Sequence, residues 1–219
     1  MTHDEIIKAL FDETMIGNAP AVLELTNKAL AEGMGPDTIL FEALIPSLEE
    51  VGARFERGDY FVPEMLIAGK AMSGALNVLR PLLAETGAET VGTFLMGTVK
   101  GDVHDIGKNL VNIMLEGAGF KVIDIGVQVA PEKFIAAINE HQPDILGMSA
   151  FLTTTMPMFK VNIHEITKAG LRDKVIIMVG GAPVTQEYAD AVGADGFASD
   201  ASTAVRVAKD LIQKKRALV

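Results

Sequence analysis

The sequence predicts an α/β protein: an N-terminal four-helix bundle cap, followed by a flavodoxin-like (Rossmann-type) doubly wound sheet of five parallel strands. Three observations carry that expectation. Apolar residues recur at helical spacing from Asp4 to Glu85; the period changes at TGAET, residues 86–90; and beyond it short apolar runs alternate with helical patterns. A chain of 219 residues that is 49% hydrophobic can bury either one large core or two small ones. The change of period puts a helical domain at 1–87 and an α/β domain at 88–219.

In the first part, Gly17-Asn18, Gly33 to Gly35 and Gly58 to Tyr60 interrupt the helical pattern and divide it into four helices. Asn18, with Pro20 just inside the next segment, fits a helix start, and Gly33 fits a helix stop. Pro46 lies inside LFEALIPSLEEVGARF and is expected to bend or divide that helix, because it lacks the N–H an inner turn requires. Residues 1–88 hold 14 of the 29 acidic and 6 of the 19 basic side chains, so most of the net charge of −10 lies here. Such an excess marks a solvated outer face or a docking surface, the first being the ordinary case.

The second part contains TVGTFLMGTV, KVIDIG, DILGMSA, KVIIMVGG and ADGFAS, each short, apolar and bounded by Gly, Pro or Asp, which read as five buried strands. Helical patterns near 106–117, 131–141, 157–169, 186–192 and 201–215 alternate with them. Right-handed crossovers then give the strand order 2-1-3-4-5.

Composition excludes several functions. A net charge of −10 opposes electrostatic binding to nucleic acid or to an anionic membrane surface. There is no basic-then-apolar leader and no apolar run near the roughly 18 residues that span a bilayer, so a cytoplasmic protein is expected. With no cysteine, the chain offers no disulfide, thiolate nucleophile, Cys-ligated zinc or iron–sulfur cluster of its own.

In a doubly wound sheet, ligands bind beyond the carboxyl ends of the strands at the point where strand order reverses. Three loops converge there: Lys100 to Gly107, Ser149 to Thr155 and Gly180 to Pro183. The first contains His104, which a loop position leaves open to three roles: metal ligand, acid–base group or solvated surface residue. Asp102 favours the first, since a carboxylate on one ring nitrogen fixes the tautomer and leaves the other nitrogen free. One histidine without cysteine cannot build a conventional zinc site, and His3, His141 and His164 fall in segments away from this rim. A single ligand makes sense where a macrocycle supplies the remaining coordination. Gly101, Gly107, Gly147, Gly180 and Gly181 would let a bulky ligand approach the backbone, and Ser149, Thr153, Thr154 and Thr155 add hydroxyls, though taken alone such a run is ordinarily loop or cap polarity.

These residues resemble the cobalamin-binding domain of methionine synthase and of the corrinoid proteins of methyltransferase systems, whose signature is D-x-H-x-x-G, then S-x-L, then G-G. Asp102-Val-His104-Asp-Ile-Gly107 is followed after 41 residues by Ser149-Ala-Phe151 and after 28 more by Gly180-Gly181. Phe151 stands where the pattern usually has Leu. Residues 1–85 are similar to the four-helix cap of the methyl-transferring branch, notably in VGARFERGDYFVPEMLIAGKAM, so the resemblance spans nearly the whole chain.

The resemblance implies that His104 is the lower axial ligand to cobalt, in the base-off/His-on form that displaces the cofactor's dimethylbenzimidazole. It implies that Asp102 hydrogen-bonds the imidazole, that Thr155 relays the proton, and that Ser149 contacts the displaced base. Gly180 and Gly181 would line the base's passage, and Gly101 and Gly107 would shape the wall of the ligand loop, with Phe151 and Thr153 nearby. Phe61, Met65 and Met72 are expected on one side of the fourth helix, as a lid over the upper cobalt face or as ordinary core, with a hinge at Thr86 to Thr90. The implied function is a corrinoid carrier that shuttles a methyl group through Co(I) and methyl-Co(III) between a substrate-specific methyltransferase and a second methyltransferase, kept active by a reductive activating protein. It would be a cofactor subunit rather than a complete enzyme. The small subunit of an adenosylcobalamin mutase would lack the helical cap, a cobalamin-dependent regulator would need an output segment, and a phospho-receiver would need a lysine after strand 5, where Ser199-Asp200-Ala201 stands instead.

Overall fold

The computed structural model describes residues 1–86 and 90–217. The chain divides into two compact units, Met1–Thr90 with Glu116–Gly119, and Val91–Leu115 with Phe120–Val219. The expected hinge at 86–90 lies mostly outside the described residues.

The first unit is helical. Helix α1 (His3–Met15) opens on a reciprocal cap, in which the Glu5 N–H donates to Thr2 Oγ1 at 3.2 Å and the Thr2 N–H donates to Glu5 Oε2 at 2.8 Å. Asn18 caps α2 (Ala19–Ala31), with Pro20 in its first turn. Gly17, at φ +74°, makes the turn between them where any Cβ would strike Ile67. The third helical run passes from α3 (Pro36–Thr38) through a π turn (Ile39–Leu44) into α4 (Ile45–Arg57). Pro46 was expected to bend or divide this run, and the helix instead widens just before it. The Ile45 N–H donates to the Leu40 carbonyl five residues back, a π spacing that shifts the ladder next to the residue with no N–H to give. Gly58, left-handed at φ +78°, ends α4. Helix α5 (Val62–Thr86) follows and carries Pro81 inside it, a feature the apolar periodicity conceals.

The second unit is a five-stranded sheet in the order β2-β1-β3-β4-β5, with every pairing parallel. Its elements are β1 (Thr93–Thr98), α6 (Ile106–Gly117), β2 (Lys121–Asp124), α7 (Pro131–His141), β3 (Ile145–Ser149), α8 (Pro157–Lys168), β4 (Ile176–Gly180), α9 (Gln186–Val192), β5 (Gly196–Ala198) and α10 (Ala201–Ala217). The expectation of five buried strands fails at β2, whose end residues Lys121 and Asp124 are exposed and whose middle is half-buried. An edge strand pairs on one side only, and its charged ends keep the open side soluble.

Register sorts the side chains onto two faces. Leu95, Leu146 and Ile177 lie in one row and Met148 and Val179 in another, and these belong to a core completed by Phe134, Ile138, Phe159 and Ile166 from α7 and α8. The opposite face carries the row Thr98, Ser149, Gly180 and Ala198 at its carboxyl end, four small residues abreast. Gly147 sits one row inward on that face, and a Cβ there would meet the Phe94 ring at 2.4 Å and Met96 Sδ at 2.8 Å. Its missing side chain thus makes room for core neighbours rather than for a ligand. Among the described residues, no helix is long and apolar enough to cross a membrane.

Candidate functional site

The first crossover loop leaves β1 through a tight turn, closed by the Asp102 N–H donating to the Val99 carbonyl at 3.1 Å, with Gly101 at φ +85°. Gly101 is therefore demanded by the turn that delivers Asp102. The Asp102 carbonyl accepts from the Gln128 N–H at 3.0 Å, and Thr98 Oγ1 donates to the His104 carbonyl at 3.1 Å, so the loop is pinned from both sides.

Asp102 is wholly buried and its carboxylate gathers five donors. Oδ1 accepts from the His104 N–H at 3.0 Å and from His104 Nδ1 at 2.8 Å. Oδ2 accepts from the N–H of Phe151 at 2.7 Å, from the N–H of Leu152 at 3.2 Å, and from Thr155 Oγ1 at 2.7 Å. Burial pushes this carboxyl group up, but the bonds from Thr155, from the backbone and ring of His104 and from Phe151 together outweigh it and hold the group well below the usual carboxylate range. An ionised carboxylate can only accept, so Nδ1 carries the proton and the Nε2 lone pair is left free. The His104 side chain is 44% exposed at the sheet's carboxyl edge. Thr155 is buried, and its hydroxyl also lies 2.8 Å from the Leu152 carbonyl, which gives its single proton a second acceptor.

The remaining expected site residues are distributed unevenly. Ser149 and Gly180 stand side by side in the row of small residues described above. Gly107 lies in the first turn of α6, where an added Cβ would touch nothing within 4 Å, so the surface beside His104 is open. Gly181, at φ +135°, has a reason within the chain, since a Cβ there would fall 1.9 Å from the Ala150 carbonyl oxygen. Phe151 is half-exposed and stacks on the His104 ring, while Thr153 and Thr154 are exposed and only Thr155 of the three joins Asp102. The expected stripe Phe61, Met65, Met72 is not one open face: Met65 and Met72 are 0% and 1% exposed, whereas Phe61 precedes α5 and is 64% exposed. The i, i+4, i+11 spacing overlooked that the Phe61 N–H donates to Glu64 Oε2 at 2.9 Å, which makes Phe61 a capping residue rather than a helical one.

Several features of the site escaped the sequence reading. Val103 and Leu152 are exposed apolar residues on the two loops that carry His104 and Phe151, and Ile106, likewise exposed, opens α6. The signal of the first two was apolar side chains in loops that would ordinarily be polar. Thr98 was indistinguishable from any strand threonine. Lys108, buried in α6 one turn beyond the loop, donates to the Asp124 carboxylate at the end of β2 and to Asn109 Oδ1 at 2.8 Å, and Asn112 Nδ2 donates to Asp124 Oδ2 at 2.9 Å. This group ties the start of α6 to the neighbouring strand.

Among the described residues, no three His, Asp or Glu side chains gather into a metal site. The rim provides one outward imidazole nitrogen, an apolar surround and a row of small residues behind it. That donor set suits a metal whose other ligands belong to a macrocycle. The comparisons agree. A family model described as a B12 binding domain matches residues 92–208, and a second of the same description matches residues 6–80. A dimethylamine corrinoid protein of Methanosarcina barkeri is 42% identical over 97% of this chain and 100% of its own length. The chain belongs to the corrinoid protein family. Another relative of this corrinoid protein, dimethylamine corrinoid protein 3 of Methanosarcina mazei, is 48% identical over 75% of the chain and 99% of its own length. Among solved structures, a methanol:cobalamin methyltransferase complex of Methanosarcina barkeri contains a chain that matches at TM-score 0.85 and 28% identity, over 97% of this chain and 81% of that one. A cobalamin-binding protein from Desulfitobacterium hafniense matches at TM-score 0.75 and 28% identity, over 94% and 98%. The family's cofactor is cobalamin, and the single-imidazole rim fits it.

Proposed function

We propose that this corrinoid protein carries a methyl group between two methyltransferases, with His104 as the lower axial ligand and residues 1–87 as the cap domain. The observation that carries the reading is the buried Asp102 carboxylate, which commits Nδ1 of a half-exposed His104 to donation and leaves Nε2 as a free donor to a metal. Cobalamin, when bound, supplies the metal centre that takes up and gives away the methyl group.

The chain's own residues bind, orient and handle a proton. The free Nε2 lone pair is the donor presented to the metal. When Nε2 takes a proton that lone pair closes, while the imidazolium keeps its Nδ1–H bond to Asp102 at 2.8 Å. Thr155, able to donate either to Asp102 or to the Leu152 carbonyl, adjusts the negative charge left on the carboxylate. The row Thr98, Ser149, Gly180 and Ala198 leaves space for the displaced nucleotide base, with Ser149 offering a hydroxyl to it. On the helical unit, Phe61 is exposed.

Relatives 38–42% identical are named for dimethylamine or trimethylamine, which makes a methylated amine the favoured methyl donor over methanol. The second methyltransferase and a reductive activating protein complete the set of partners, in the cytoplasm. The test loads the protein with cobalamin without oxygen, reduces it, and supplies isotopically labelled dimethylamine with a dimethylamine methyltransferase. Label on the protein-bound corrinoid, passed on to a thiol by a second methyltransferase, supports the proposal. Failure of the loaded, reduced protein to accept label from methylated amines or methanol overturns it.

A further inference from the structure

The imidazole of His104 is held at a second point besides its hydrogen bond to Asp102. The Phe151 ring lies against it with centroids 4.4 Å apart and planes 30° apart. The hydrogen bond at Nδ1 restrains rotation of the ring about its bond to Cβ but tolerates a range of tilts. A flat partner on the ring face narrows that range. Phe151 is itself anchored, because its backbone N–H donates to Asp102 Oδ2 at 2.7 Å, on the same carboxylate whose Oδ1 holds the imidazole. One buried group therefore registers both the ligand and the ring that stacks on it. The Phe151 side chain is also half-exposed, so its ring is not required to fill the core.

We infer that Phe151 is a positioning residue for the axial ligand: its ring presets the plane of the His104 imidazole, and thereby the fraction of bound corrinoid that takes the histidine. The inference rests on His104 being the ligand. A leucine at 151 would keep the backbone bond to Asp102 and lose the flat face, whereas a tyrosine would keep both. An aromatic stack of this kind corresponds to roughly a 2- to 10-fold bias toward the stacked orientation.

The test uses the full chain as wild type, Phe151→Leu and Phe151→Tyr. In the cobalamin-free protein, the His104 ring protons should show an upfield ring-current shift in wild type and Phe151→Tyr that is lost in Phe151→Leu. After loading with hydroxocobalamin and reduction to the Co(II) state, the ratio of histidine-bound to histidine-free cobalt, read by electron paramagnetic resonance, should fall about 2- to 10-fold in Phe151→Leu and stay near wild type in Phe151→Tyr. An unchanged ring-current shift in Phe151→Leu overturns the inference, as does an equal fall of the ratio in both variants. Should the wild type take up no cobalamin, the carrier reading fails, and the shifts in the free protein still decide whether Phe151 orients the imidazole.

Discussion

Replacing Asp102 by asparagine tests the electrostatics of the site without changing its shape. The amide must put an NH2 where one carboxylate oxygen now accepts, and the geometry determines which. With the NH2 in the place of Oδ2 it would confront the N–H groups of Phe151 and Leu152, two backbone donors that have no other acceptor in the site. At about 1 to 3 kcal/mol for each buried donor left unpaired, that orientation costs roughly 2 to 6 kcal/mol. With the NH2 in the place of Oδ1 it faces only one backbone donor, the His104 N–H, and costs about 1 to 3 kcal/mol. The ring can answer by giving up its Nδ1 proton and accepting from the amide. The second orientation wins, and its consequence is that the proton moves to Nε2 and closes the metal-binding lone pair. Asp102→Asn should thus lose about 1 to 3 kcal/mol in urea denaturation, show the Nε2–H tautomer in nitrogen-detected NMR of His104, and bind cobalamin on the order of 10- to 100-fold more weakly. A variant that keeps the Nδ1–H tautomer and wild-type uptake would refute the reasoning.

Three further outcomes follow from the geometry. Gly181→Ala should cost on the order of 3 kcal/mol in urea denaturation, because its Cβ would fall on the Ala150 carbonyl at a φ that side chains avoid, whereas Gly107→Ala should raise stability by up to about 1 kcal/mol while weakening cobalamin uptake. Asp124→Ala leaves the buried Lys108 ammonium without its carboxylate and should destabilise by about 2 to 4 kcal/mol, more than Lys108→Met, as the same titration will show. At Asp200, burial pushes the carboxyl up, but the N–H of Thr203 at 2.8 Å and the Ser199 and Thr203 hydroxyls overcome it, so its folded value lies below its unfolded one. Its contribution is then present above pH ~4 and lost as pH falls through the folded value, so Asp200→Ala should cost ~1 kcal/mol at neutral pH, with the gap to wild type closing below pH ~4.

Strand order and helix positions in the second unit were legible because a parallel sheet writes each strand as a short apolar run and each crossover as a helical pattern. The failure at β2 has the same origin, since Val122, Ile123 and Ile125 look like a buried strand in sequence while only the sheet order reveals an edge. In the site, the spacing of Asp102 and His104 announced a local hydrogen bond, but Thr155 lies 53 residues away from its partner carboxylate and was reachable only through resemblance. The donors from Phe151 and Leu152 are backbone groups, which residue identity never displays. Met65 and Met72 show the converse limit, since an apolar stripe reads the same whether it faces a ligand or is buried.

The most direct measurement labels every histidine with nitrogen-15, loads the protein with cobalamin, and records the paramagnetic resonance of the Co(II) state. An axial His104 nitrogen turns the triplet splitting of the unlabelled protein into a doublet, and His104→Ala abolishes the doublet. A triplet that persists in the labelled protein would mean that the cofactor's own base holds the cobalt and that His104 does not.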